Sequence, residues 1–233
     1  MDKPSRSLQI LNVVTALLLL AATAMVFLYA PREATMGEVQ RIFYFHVPAA
    51  WVSMLAFGVT FVAGIAYLRG GDAKWDRLGR SSVEIGLVFT VMATASGSIW
   101  ARPAWNTWWT WDPRLVTYTI MALLYVAYLM LRQSIEDPDR QMRFAAVYGI
   151  IAFVSVPITF LSIRWWRTIH PVVIGSGSVT AEGGFDMTAP MRVTFFFSLF
   201  TFTLFYVTLL WNRARLARLA ERVEEMKLRL VSA

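Results

Sequence analysis

Apolar residues in this chain come in long blocks rather than in alternation. Six stretches, at about 8–30, 47–68, 83–100, 115–131, 144–163 and 193–211, are rich in Leu, Val, Ile, Phe and Ala and carry few charges. Crossing a hydrocarbon layer ~30 Å thick takes about 20 such residues in helical form. Within lipid the backbone must satisfy its own hydrogen bonds, which leaves helices or closed barrels. A barrel would show alternating segments of about ten residues, and none is present. The pattern therefore predicts an all-α integral membrane protein: six transmembrane helices in a single domain over 1–233. The first stretch follows Lys3 and Arg6 and contains Ala22-Thr23-Ala24, as a secretory signal would. A signal core is about 7–15 residues long, so this longer run is expected to stay in place as helix 1.

Charge sets the orientation. Sorted by alternating loops, 15 of the 22 Lys and Arg fall on one side, with both termini, and 7 on the other. The positive-inside rule puts the termini in the cytoplasm and three loops outside, at about 31–46, 101–114 and 164–192. Composition agrees: 57% hydrophobic and 16% charged, against about 45–50% and 25% in soluble domains. The net charge of +7 then reads as basic loops beside anionic lipid rather than a nucleic-acid surface. The absence of Cys excludes disulfides and thiolate metal sites. No Gly-rich phosphate loop is present, so the chain is not itself an ATPase. In the tail, 212–233, Leu216, Leu219, Val223, Met226 and Leu230 recur at spacings of 3 and 4, which predicts a cytoplasmic helix with one apolar seam. It would either extend helix 6 along the membrane surface or dock a partner. Pro157, inside the fifth run, should bend that helix.

The candidate chemistry lies on the Lys/Arg-poor face. Trp51, Trp100, Trp105, Trp108, Trp109, Trp111, Trp165 and Trp166 map there, and only Trp75 and Trp211 map to the other. An interfacial belt would place Trp at both faces. Five of the outer Trp lie within 100–111, which suits an aromatic platform for a planar apolar ligand. The two His, His46 and His170, also fall on this face, each among aromatics and Arg. A lone His in such surroundings is commonly a hydrogen-bonded structural residue. Two on one face, without Cys or a neighbouring carboxylate, make a poor zinc site but a normal axial pair for haem iron. Pro48 fits the first turn of helix 2. Outer cations are all Arg, whose fork suits carboxylates such as haem propionates. Arg41, Arg102, Arg114, Arg164 and Arg167 lie nearest the His and Trp in sequence, whereas Arg32 and Arg192 read as snorkelling helix ends. Asp112 precedes Pro113 and is expected to cap helix 4, with pairing to Arg114 or orienting a ligand as further roles.

The segment Trp105-Asn106-Thr107-Trp108-Trp109-Thr110-Trp111-Asp112-Pro113-Arg114-Leu115 resembles the tryptophan-rich WWD signature of haem-handling proteins of cytochrome c assembly. Within that superfamily the chain is similar to the CcmC family. Tyr44 through His46, Val47, Pro48, Ala49 and Ala50 to Trp51 resembles the family's first histidine region, and Trp165-Trp166-Arg167-Thr168-Ile169-His170 the second. Ala101 and Asn106 stand where the family usually has Gly, and Val116 where it has Thr or Ser; Asn tolerates positive φ better than most residues. CcmF and CcsA are larger, with further membrane histidines. The resemblance implies a multi-pass protein of the bacterial inner membrane that binds haem b at its periplasmic face. It implies His46 and His170 as axial ligands, Trp105, Trp108, Trp109, Trp111 and Trp51 near the macrocycle, and Asp112 and the five Arg beside them. The implied partners are the haem chaperone CcmE, the ABC transporter subunits CcmA and CcmB, and the small membrane protein CcmD. Haem transfer, not catalysis, is the implied activity. A cytochrome-b-like electron carrier would need histidines within helices at two depths. A permease for a small amphipathic substrate, the alternative reading, would favour broken helices and polar groups at mid-membrane.

Overall fold

The computed structural model describes residues 4–171 and 187–231. Among these there is no strand, and six helical segments are long and apolar enough to cross a membrane. Helix α1 spans Arg6–Ala24 and continues as a π-helical turn, Met25–Tyr29. A 3₁₀ turn, Glu38–Ile42, leads directly into α2, Phe43–Gly70. Then come α3 (Ala73–Trp105), α4 (Pro113–Gln133), α5 (Pro138–Ala152), α6 (Ser155–Trp165) and α7 (Ala189–Val231). Helices α5 and α6 together form the fifth span.

Local signals explain most boundaries. Asp72, Asp112 and Asp137 cap α3, α4 and α5, each accepting from a backbone N–H of the first turn. Pro113 and Pro138 open their helices, where a missing N–H is no loss. The fifth span breaks at Phe153 and Val154, four residues ahead of Pro157, as the sequence predicts. The freed Phe153 carbonyl accepts from Val156 N instead (3.0 Å).

Two boundaries correct the sequence reading. The loop expected at 31–46 turns helical at Glu38, so His46 is the fourth residue of α2 and Pro48 lies in its second turn. Burial of Phe43 and Tyr44 extends the helix; Phe43 stacks on Phe195 of α7 at 5.2 Å. The loop expected at 101–114 shrinks to 106–112, because α3 continues to Trp105. Of the loop expected at 164–192, residues 172–186 lie outside the described part, and Arg192 is within α7.

Small residues let the spans approach closely, as expected where lipid supplies no hydrophobic drive between helices. A Cβ on Gly86 of α3 would meet Phe57 Cε1 of α2 at 2.8 Å. The Phe57 ring stacks on Tyr125 of α4 at 3.6 Å. Ser82 donates to Ala56 O (2.6 Å) and pairs with Tyr206 OH of α7 (2.7 Å). Outward-facing residues such as Leu20, Leu28, Val91, Leu123 and Ile151 are exposed, as lipid contact requires.

Candidate haem site

His46 and His170 meet. Their ring centroids are 6.5 Å apart, with the planes tilted by 38°. His46 is carried by the first turns of α2, and its Nδ1 donates to Ala93 O of α3 (3.0 Å), with Ser96 Oγ at 3.2 Å. The ring lies against Gly97, where a Cβ would come within 2.8 Å of its Cε1. His170 follows α6 in extended chain, and its Nδ1 donates to Pro171 O (3.2 Å). A carbonyl can only accept, so each Nδ1 carries a proton, and in the neutral ring Nε2 then keeps its lone pair. Burial, with Arg114 and His46 adding to it, lowers the His170 pKa to about 3. The ring is therefore neutral at physiological pH, the form that binds metal.

Two imidazoles bound through Nε2 to one metal ion at about 2.0–2.1 Å each would place their centroids roughly 6 Å apart. The observed 6.5 Å fits that arrangement. Among the described residues, no three His, Asp or Glu converge as a metal group; a planar macrocycle that brings its own four donors fits this ligand set.

Both rings line a cavity with about 1170 Å³ of open space, its mouth included. Its walls are Ala93, Thr94, Gly97 and Ala101 of α3, Leu115 and Tyr118 of α4, Phe160 and Ile163 of α6, and the indoles of Trp100, Trp105, Trp108 and Trp109. Arg114 and Arg164 are its cations. Arg114 also donates to the Thr159 carbonyl of α6. Two buried polar atoms of the lining, Trp100 Nε1 and Thr110 Oγ1, have no partner among the described residues. Oxygen atoms on a ligand would satisfy both.

Not every residue predicted from sequence lies on this cavity. Arg41 turns to α1, donating to the Val26 and Ala30 carbonyls and pairing with Glu38. Arg102 braces the start of the Trp loop through Asn106 O (2.7 Å) and Asn106 Oδ1 (2.8 Å). Trp51 faces α7, donating to Thr203 Oγ1 (3.1 Å). Arg167 is outside the lining, and Trp111 stands behind Trp109, edge to face at 5.8 Å. Asp112 is not itself in the lining but holds it together. It caps α4 through Arg114 N (2.9 Å) and accepts from Thr168 Oγ1 (2.7 Å) and Ile169 N (3.1 Å).

Sequence reasoning missed Gly97, Thr110 and Tyr118 on the cavity wall, and placed Trp100 in the aromatic cluster without singling it out. Tyr118 had a signal, since it falls one turn after Arg114 on the same face of α4. Gly97 had none, because the need for a missing Cβ arises only when α2 lays His46 across it.

The comparisons with known proteins give the family. The sequence matches the CcmC family, Heme exporter protein C, over residues 2–229. The chain belongs to the CcmC family. It is 33% identical over 199 residues to Heme exporter protein C of Bradyrhizobium diazoefficiens, covering 85% of this chain and 74% of that one. It is 34% identical over 191 residues to Heme exporter protein C of Escherichia coli K12, covering 81% and 74%. A ccmC-like mitochondrial protein of cytochrome c biosynthesis from Marchantia polymorpha is 30% identical over 141 residues, covering 60% of this chain and 59% of that one. Membership and the six spans together make the chain a multi-pass membrane protein of a haem-exporter family tied to cytochrome c biogenesis.

Proposed function

We propose that this protein holds haem b at the periplasmic face of the bacterial inner membrane and delivers it to the haem chaperone CcmE during c-type cytochrome biogenesis. The observation that carries the reading is the pair of imidazoles, 6.5 Å apart, on the wall of an indole-lined cavity. His46 and His170 hold the iron through Nε2. Trp100, Trp105, Trp108 and Trp109 surround the macrocycle, and Arg114 and Arg164 meet the propionates, with Trp100 Nε1 and Thr110 Oγ1 as further donors. Arg41, Arg102 and Trp51 support the surrounding helices instead. Family membership supports haem as cargo. The Lys and Arg asymmetry supports cytoplasmic termini and a periplasmic site.

The protein acts as a scaffold: its residues bind and orient haem, and any covalent step uses the chaperone's own nucleophile. CcmA and CcmB supply the ATPase and its membrane subunit, and CcmD completes the assembly.

The visible spectrum of protein purified from haem-replete cells tests the proposal. A Soret band with a low-spin, six-coordinate spectrum is expected, and that spectrum is lost in both His46→Ala and His170→Ala. Colourless wild-type protein, or an unchanged spectrum in both variants, overturns it.

A further inference from the structure

The two imidazoles are anchored in different ways. His46 belongs to a 28-residue helix. Its Nδ1 is held by the Ala93 carbonyl, its ring rests on Gly97, and both contacts come from α3. Helices α2 and α3 are locked through Gly86 against Phe57 and Ala56, and through Ser82 on Ala56 O. Withdrawing His46 would mean sliding one packed helix over another.

Among the described residues, His170 is carried by no helix. It ends the short extended segment after α6, and its local bonds converge on one carboxylate. Thr168 Oγ1 donates to Asp112 Oδ1 at 2.7 Å, and Ile169 N donates to Asp112 Oδ2 at 3.1 Å. His170 N in turn donates to Thr168 Oγ1 at 3.1 Å. Thr168 is buried, so its hydroxyl cannot exchange this partner for solvent without the segment moving. Asp112 is the last residue of the Trp loop and also caps α4. Its chain neighbour Trp111 is 76% exposed, and Trp108 of the same loop is 58% exposed. A docking partner with an apolar or aromatic surface would grip these indoles first.

We propose that Asp112 is a latch that positions His170, and that His170 is the releasable ligand of the pair. A partner that engages Trp111 and Trp108 shifts the loop, takes the Asp112 carboxylate from Thr168 and Ile169, and lets the His170 segment swing away. His46 keeps the iron throughout. The cargo is thus opened on one side only, the side of the docked partner, and is not lost to the bilayer. This inference rests on the haem-holding reading and adds which ligand lets go and what controls it.

The test is carbon monoxide binding to the haem-loaded, dithionite-reduced full-length protein in lipid nanodiscs. In a six-coordinate haem, CO enters only when an imidazole leaves. Asp112→Asn and Thr168→Val are expected to speed CO entry by about 10-fold or more and to raise the high-spin fraction, in line with the effect of removing outer-shell partners of metal ligands. Thr168→Ser keeps the hydroxyl and should stay close to wild type. Ser96→Ala, beside His46, should speed CO entry less than Thr168→Val, because the Ala93 carbonyl still holds the His46 Nδ1. Equal CO rates across wild type, Asp112→Asn and Thr168→Val overturn the latch. So does a Ser96→Ala rate as fast as Thr168→Val, because His46 would then be equally loose. If Asp112→Asn fails to fold, the Thr168 pair decides. Wild-type protein without haem overturns the underlying haem-holding reading, and is distinguished from failure of the latch by its missing Soret band.

Discussion

Gly97 and Gly86 both lie on α3 and both leave room for a side chain of α2, yet they predict different phenotypes. A methyl group at Gly97 would collide with the His46 imidazole, and one at Gly86 with the Phe57 ring. Gly97→Ala should therefore lower haem occupancy about 10- to 100-fold, as for other changes that misplace a metal ligand, while leaving the amount of folded protein near wild type. Gly86→Ala should cost about 1–3 kcal/mol of stability by overpacking, without changing the bound-haem spectrum. Occupancy from the Soret-to-280 nm ratio, set beside thermal unfolding, separates the two. The arginines divide in the same way. Arg114→Ala should reduce haem retention on a desalting column, because Arg114 lines the cavity. Arg41→Ala and Arg102→Ala should retain haem, since those guanidinium groups bond to backbone carbonyls elsewhere. Residue type and neighbourhood in sequence could not sort these five Arg. A long side chain can turn toward any nearby carbonyl, and only the packed neighbours decide which.

At the scale of elements, the breaks and caps were legible and the docking of one helix on another was not. The φ of +56° at Asn106, which ends α3 in the left-handed region, follows from Asn being tolerated there. The break ahead of Pro157 follows from its missing N–H. Nothing in the local pattern, however, announced that Asp76 near the start of α3 would clip α4 and α5. Arg132 donates to Asp76 through both terminal nitrogens (2.5 and 2.8 Å), and also to Gln141 Oε1 (3.3 Å). The two ion-pair side chains are only 7% and 8% exposed. Asp76→Asn leaves a buried guanidinium without its counter-charge and should destabilise the fold by about 3–5 kcal/mol. The measurement is unfolding in mixed micelles; a change within error would show that the clip adds nothing. The double variant Asp76→Leu with Arg132→Met should recover much of the loss, because matched apolar residues remove the desolvation penalty.

Across the whole molecule, six spans enclose the indole-lined cavity near one end, and α7 runs far beyond what a bilayer needs. Its 43 residues cover about 65 Å at 1.5 Å per residue, roughly twice the hydrocarbon thickness. The tail is thus continuous with the sixth span. Arg213 pairs with Glu84 (2.6 Å) and Arg77 with Glu221 (2.9 Å), which ties the start of that extension to α3. Residues 221–230 are exposed, including the predicted apolar seam at Val223, Met226 and Leu230. Ending the chain after Arg222 should therefore leave the haem spectrum and the thermal midpoint unchanged. A shifted midpoint would mean the seam is covered in the native membrane. Reporter fusions address orientation: a fluorescent protein at the C terminus should light up, and an alkaline phosphatase fused there should stay inactive.

By itself, the sequence determined the number of spans, their helical form, the cap at Asp112, and the pair of histidines set among tryptophans. These depend on run length and on bonds between residues close along the chain, and one-dimensional patterns record both. The tertiary structure decided that His46 lies inside a helix, against a glycine 51 positions away. It also decided that His170 hangs from Asp112, and that only two of the five candidate Arg reach the cavity. Those outcomes depend on which faces of separate helices touch. Helix contact in lipid is set by shape and by a few polar pairs, and a sequence of similar apolar residues does not record either.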